Sequence, residues 1–303
     1  MQGDALFALL ALLVLPCVQY GPRVLLAALA ACASCAVCDI VTSLLVKRSF
    51  GSGDLSSLVT GLTVAMLLPP TVPYWLPALA GAFAILAVKL PFGATGNNLF
   101  NPAAAGVAFA TVCRPDLVFA YADPAAGRLS LESEISFTAG TSPGSILAKG
   151  LMPSILPRDL LWGVFPGAIG CTGALVLGAA AIFLLARRSL RWETMVCFLV
   201  TAAVAAALFP RIPTTALTSV KYELLTGSLL FAAVFLCGDP VTTPRTFTGR
   251  CCFGALAAAL LMAMRHVGAY EQGACFAILL ANAFSPVLDG AVLSARMKGV
   301  RLP

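Results

Sequence analysis

Residues 24–46 read VLLAALAACASCAVCDIVTSLLV. As a helix this run extends about 34 Å at 1.5 Å per residue, enough to cross a hydrocarbon core roughly 30 Å thick. Its single charge is Asp39. Working outward, further apolar runs lie near 5–20, 55–69, 75–88, 103–118, 160–186, 192–209, 222–238, 251–266 and 271–284, giving about ten crossings. The 303 residues are 60% apolar and 11% charged, against about 25% charged in soluble domains. An ordinary soluble domain is thereby excluded, and an all-α polytopic membrane protein is expected. Met1 to Asp4 carries no basic residue, so residues 5–20 read as a retained first span rather than a cleaved signal.

Nineteen Lys and Arg exceed thirteen Asp and Glu. In a membrane chain this bias reports loop topology, and without a polybasic block no nucleic-acid partner is expected. Under ten crossings both termini share a face that carries eleven of the nineteen basic residues. That asymmetry predicts both termini in the cytoplasm and the 119–159 loop outside. The domains are then 1–118, a first membrane half; 119–159, the external loop; and 160–303, a second half. Membrane lipid is the general partner.

Several spans are interrupted, as at Leu67-Leu68-Pro69-Pro70 and Gly238-Asp239-Pro240. Broken helices in membranes line buried sites or aqueous cavities. Thr60-Gly61 and Thr226-Gly227 open two runs that end at prolines, and Asn98-Leu99-Phe100-Asn101-Pro102 echoes Asn282-Ala283-Phe284-Ser285-Pro286. These echoes predict two inverted five-helix halves with broken helices at the two Thr-Gly pairs.

Chemistry-bearing residues are few. One histidine, His266, leaves no material for a histidine metal cluster or a His-based hydrolase. Cys32, Cys35 and Cys38 have a C-x-x-C-x-x-C spacing, but it lies mid-helix among Ala and Ser, so these and the other cysteines read as small packing residues. Asp39, about 12 Å deep from Lys47, is either a cation or proton group or a carboxylate satisfied by hydroxyls. Lys89 is expected to cap a helix near the interface. Asp239 either caps a half-helix or faces a pore. Asp39, Thr60, Gly61, Thr226, Gly227 and Asp239 form the expected ion path. No Gly-rich loop follows a strand, so nicotinamide chemistry would belong to partners.

The motifs Leu67-Leu68-Pro69-Pro70-Thr71, Gly93-Ala94-Thr95-Gly96-Asn97-Asn98-Leu99-Phe100-Asn101-Pro102-Ala103 and Gly238-Asp239-Pro240-Val241-Thr242-Thr243-Pro244, with Phe165-Pro166-Gly167 and Asn282 to Pro286, carry a resemblance. From about Asp54 to Asp289 the chain resembles the D subunits of Rnf electron-transport complexes and, more distantly, the B subunits of sodium-pumping NADH:quinone reductases. The resemblance implies ten helices in two inverted halves, similar to urea transporters. It implies a complex with A, B, C, E and G subunits as partners that couples electron flow between ferredoxin and NAD to translocation of Na⁺ or H⁺, the chain itself contributing no complete active site.

It also implies flavin mononucleotide esterified to a hydroxyl by a flavin transferase, in a motif Asp-x-x-Ser/Thr-Gly-Ala-Thr. The corresponding stretch is Ser136-Phe137-Thr138-Ala139-Gly140-Thr141-Ser142-Pro143-Gly144. Aligning the proline makes Ser142 the acceptor and puts Ser136 at the Asp position. A shift of one residue makes Thr141 the acceptor with Thr138 upstream. Ser142 is favoured, and Ser142, Thr141, Gly140, Thr138, Asn98 and Asn101 are the expected cofactor residues; a second, noncovalent flavin such as riboflavin is compatible with the family. Read without the resemblance, 136–144 is a flexible Ser/Thr/Gly/Pro loop. Two other readings stand beside the redox subunit: a stand-alone small-solute or ion transporter of urea-transporter-like fold, and an Rnf subunit without covalent flavin.

Overall fold

A computed structural model describes residues 1–45, 55–91, 98–132, 137–267 and 273–299. Ser136, residues 93–97 of the Asn98 motif, and Lys47, Arg48 and Arg301 of the charge count lie outside them. Among the described residues the regular elements are all helices, with one isolated bridge between Ala122 and Ala139. The helices are α1 Gln2–Tyr20, α2 Arg23–Leu45, α3 Ser56–Leu67, α4 Trp75–Phe83, α5 Pro102–Cys113, α6 Pro115–Val118, α7 Pro143–Ala148, α8 Pro157–Trp162, α9 Ala174–Ala186, α10 Trp192–Leu208, α11 Ala216–Leu225, α12 Leu229–Phe231, α13 Phe247–Val267 and α14 Ala274–Gly299.

Four of these, α1, α2, α13 and α14, are long and apolar enough to cross a membrane, and α11 with the α12 segment passes as one span bent by 68°. Five further apolar helices have 10–17 residues, about 15–25 Å. The packing recurs along the chain. α2 packs on α3 and α4, and α4 on α5; α10 packs on α11 and α13, and α13 on α14. The two sets meet where α1 lies on α9 and α5 on α14.

The expected span 160–186 is not one helix. α8 stops at Gly163, whose φ of +75° is left-handed and where a Cβ would lie 2.5 Å from the Thr172 carbonyl carbon. Residues 163–173 then fold back irregularly, with Ile169 N–H donating to the Leu68 carbonyl at 3.0 Å and Gly170 N–H to that of Met66 at 2.7 Å. Those carbonyls are the orphans at the end of α3, so one break supplies the donors another lacks.

A second correction concerns Thr60-Gly61. It lies inside continuous α3, and the helix ends instead at Leu68, extended at φ −94°, ψ 156° before Pro69-Pro70. Prolines cannot carry the ladder on. Gly61 permits close approach of α2, since a Cβ there would stand 2.7 Å from Cys32 Cα and 2.9 Å from the Ala31 carbonyl oxygen. Backbone cannot swing aside, so Gly61→Ala should destabilise by about 1–3 kcal/mol. Gly178→Ala, with open space around its Cβ, should not; thermal unfolding in detergent compares the two, and equal melting temperatures would contradict the close contact.

Candidate functional site

A cavity of about 320 Å³ opens between the two helix sets. It gathers Thr60, Asn98, Asn101 and Asp239, four residues singled out from the sequence, together with Lys89. Both halves reach it through the same irregular device. Beyond α4, residues Ala84–Lys89 continue in a wide π-turn, with Leu90 N–H on the Ile85 carbonyl at 2.9 Å. Beyond α12, Ala232–Leu236 does the same, with Cys237 N–H on the Ala232 carbonyl at 2.7 Å. Lys89 lines the cavity from the first turn, Val234 and Phe235 from the second. Such turns displace side chains from the regular register and recur at functional sites.

Lys89 corrects the sequence reading. It is 2% exposed rather than an interfacial cap, and its Nζ donates to Asp39 Oδ2 at 2.9 Å. Asp39 therefore has a cation as partner, which an isolated view of either run could not supply. Asn101 caps α5, its Oδ1 accepting from Ala104 N–H at 3.1 Å ahead of Pro102. Asn98 Oδ1 is buried without a hydrogen-bond partner among the described residues. Asp239 lies in the turn after the α12 span and accepts from Val241 N–H at 3.1 Å and the Thr242 hydroxyl at 3.4 Å. Burial pushes its carboxyl above the usual carboxylate range, against those two bonds.

The expected ion-path residues do not form one site. Thr226 and Gly227 occupy the bend between α11 and α12, where Gly227 adopts φ +69°. Gly227 borders a separate void of about 10 Å³ beside Tyr121, Phe165 and Pro166, away from the Thr60 cavity. Two charged clusters escape a reading that assigns their basic members to loops. Glu223, 2% exposed, accepts from Arg211 and from Arg265 Nη1 at 2.9 Å, and Arg265 Nη2 donates to the Thr226 carbonyl at 3.1 Å. Arg23, fully buried, donates to the carbonyls of Pro70, Thr71 and Val72. The signal that could find them is an arginine or glutamate inside or abutting an apolar run.

The 137–145 segment is strapped down, not a free loop. Ala122 bridges Ala139, Asp123 N–H donates to the Thr138 carbonyl at 3.1 Å, and Gly140 N–H to that of Tyr121 at 2.9 Å. A Cβ on Gly140 would stand 2.3 Å from Pro166 Cγ, so Gly140 lets the strap lie on Phe165-Pro166-Gly167. The two candidate hydroxyls then differ. Ser142 is 3% exposed and caps α7, its Oγ accepting from Ser145 N–H at 3.3 Å. Thr141 is exposed. An attached flavin thus fits Thr141 better than Ser142, and its ring system would lie on the outer surface because the neighbouring void is far too small for it. The 320 Å³ cavity is of ligand-site size, and the orphaned Asn98 oxygen suits a donor on a bound molecule. A noncovalent flavin fits there.

The sequence model described as the NQR2, RnfD, RnfE family matches residues 1–298. The chain is 33% identical over 263 residues to the D subunit of the ion-translocating oxidoreductase complex of Halorhodospira halophila, covering 79% of this chain and 74% of that protein. It is 32% identical over 265 residues to the protein of the same description from Salmonella typhimurium, covering 78% and 75%.

Proposed function

Because the chain belongs to the NQR2, RnfD, RnfE family, we propose that it is the D-type membrane subunit of an Rnf-type ion-translocating oxidoreductase complex, carrying electrons through flavin and contributing to the ion path. The single observation that carries this reading is the match along residues 1–298. The structure adds two places suited to flavin, the Lys89–Asn98 cavity and the exposed Thr141 hydroxyl. A bound flavin supplies one- and two-electron transfer, chemistry no side chain here offers. The protein's own residues position and insulate: the π-turns close the cavity, and the strap at 138–142 holds the acceptor hydroxyl outward.

In this reading the partners are the A, B, C, E and G subunits of the complex, and a flavin transferase. The membrane is the bacterial inner membrane, with the termini cytoplasmic and the 119–159 loop outside. The carboxylate of Asp4 takes hydrogen bonds from Arg187 and Ser189 at the α9–α10 turn, which fits one face for the N-terminus and that basic turn. Arg265 on the Thr226 carbonyl supplies a fixed positive charge beside the α11–α12 bend, where a migrating cation would have to pass by another route. The Thr60 side of the cavity, with Asp239 opposite, is the better candidate for its entry.

The test is peptide mapping across 137–149 on protein purified from its native host. Flavin mononucleotide less water is expected on Thr141. Thr141→Ala should abolish the in-gel flavin fluorescence entirely, whereas Ser142→Ala should keep it while losing the cap, about 1 kcal/mol locally. Modification of Ser142 instead would overturn the Thr141 assignment. An unmodified peptide in a host with an active flavin transferase would leave a flavin-free family member or a transporter.

A further inference from the structure

We propose that Cys197 and Cys251 form a dithiol site between α10 and α13 that a hydroperoxide oxidises to an interhelical disulfide, stapling the two helices that frame the α11–α12 span. The site lies apart from the flavin-sized cavity and does not depend on it.

The two helices are parallel neighbours. Arg250 near the start of α13 pairs with Glu193 near the start of α10 at 3.1 Å, and at the far end His266 Nε2 lies 2.9 Å from the Phe209 carbonyl. Packed helices ordinarily keep their axes about 8–10 Å apart, but Gly254 removes that spacing here. A Cβ on it would stand 2.4 Å from the Thr194 carbonyl oxygen and 3.2 Å from the Phe198 nitrogen, so the two backbones touch. Cys251 precedes Gly254 by three residues and Cys197 follows Thr194 by three, the spacing that puts residues on one helix face. The two thiols meet beside the contact, side chain to side chain. A disulfide needs Cα atoms no more than about 7 Å apart, closer than ordinary helix packing gives and attainable beside such a small-residue contact.

Position also sets access. Both thiols are half-buried, in the second turn of their helices beside the Arg250–Glu193 pair, where a small polar oxidant can reach them. Two other thiols are worse partners. Cys237 donates to the Thr194 carbonyl at 3.9 Å but is fully buried. Cys252 is exposed, yet a bridge to Cys251 would distort the peptide between them.

The step balances. One sulfur attacks a peroxide oxygen, the O–O bond breaks and water leaves, giving a sulfenic acid. The second sulfur attacks the first, the S–S bond forms and a second water leaves. Two thiols lose two electrons and two protons, and hydrogen peroxide becomes two waters. The consequence falls on the α11–α12 span, because these helices hold its two ends. Arg265 of α13 donates to the Thr226 carbonyl at 3.1 Å, and Arg191 N–H at the start of α10 to the Gly238 carbonyl at 3.2 Å.

The experiment treats the purified full chain with excess hydrogen peroxide, alkylates the remaining thiols and maps linked peptides. Trypsin separates the partners, since Cys197 falls in 192–211 and Cys251 in 251–265. Wild type and Cys252→Ser should both give that linked pair, with two alkylatable thiols lost together and regained on reduction. Cys251→Ser should give no linked pair and leave Cys197 open to alkylation. The oxidised wild type should melt at a higher temperature than the reduced, since the bridge constrains the unfolded chain. A Cys251–Cys252 or Cys197–Cys237 bridge, oxidation confined to Cys252, or full retention of both thiols would overturn the pairing. So would a linked pair that forms with a fall in melting temperature, because the helices would then have had to move to meet.

Discussion

Glu223→Gln should lower stability by about 3–5 kcal/mol, the cost of removing one member of a buried ion cluster. The carboxylate sits between two guanidinium groups: Arg211 donates to one oxygen and Arg265 Nη1 to the other at 2.9 Å, with side-chain exposures of 3% for the acid, 10% for Arg211 and 4% for Arg265. Glutamine keeps the shape but leaves two cations with no counter-charge in a poorly solvated place. The consequence reaches the backbone. Arg265 also holds the carbonyls of Glu223 at 2.8 Å and Thr226 at 3.1 Å, and a Cβ on Gly227 would stand 3.0 Å from its Nη2. The guanidinium is therefore the post around which the 68° bend is built, and its positive charge faces the C-terminal end of α11, where helix carbonyls are orphaned. Unfolding followed with a thiol-reactive dye reads this directly, since Cys35, Cys237 and Cys275 are buried thiols. Asp116→Asn, which breaks an exposed pair with Arg114, is the control and should not move the transition. Wild-type melting of E223Q would show that the bend does not depend on this cluster.

The apolar runs make the helical membrane class legible, because a bilayer demands runs of a fixed length whatever they pack against. The order of Pro-Pro, Asn-x-x-Asn-Pro and Gly-Asp-Pro makes the family legible for a different reason: each marks a place where backbone irregularity must be built from particular residues. Thr226-Gly227 is readable as a break, since Gly227 takes φ +69°; Thr60-Gly61 has the same letters but serves contact with α2. A dipeptide does not say whether its glycine supplies a turn or an approach. Pairings across the chain are illegible for the same reason. Asp39 and Lys89 are 50 residues apart, and Glu223 and Arg265 42 apart, so each looks like a separate charge. The following proline favours Ser142 over Thr141 on sequence, yet that proline is what makes Ser142 the cap of α7 and turns its hydroxyl inward. The proline read from sequence as marking an acceptor is also the signal of a helix start.

Arg23→Met should cost about 4 kcal/mol or more and release the loop around residues 128–132, although Arg23 lines neither the cavity nor the smaller void. Its Nε donates to the Pro70 carbonyl at 2.9 Å, Nη2 to those of Thr71 at 3.1 Å and Val72 at 3.0 Å, and Nη1 to those of Ser130 at 3.2 Å and Glu132. One guanidinium thus joins the broken end of α3 to the loop that follows Arg128, and it also lies 5.0 Å from the centre of the Tyr74 ring. Hydrogen bonds from a charged donor contribute about 1.5–3 kcal/mol each, and buried carbonyls left without donors are penalised; five such bonds are not additive, which sets the modest total. Lysine cannot reproduce a planar fork of five donors, so Arg23→Lys should recover only part. Arg128 is exposed beside the clamp, and trypsin should cleave after it at least about 10-fold faster in R23M, as a local opening free energy of that size implies. The same loop carries Tyr121, Ala122 and Asp123, which strap residues 138–140. If Thr141 carries flavin as proposed, R23M should therefore lower the fraction of flavin-bearing chains while leaving the hydroxyl chemically intact. Unchanged trypsin resistance with full flavinylation in R23M would mean that the strap at 121–123, and not the arginine, holds the acceptor segment in place.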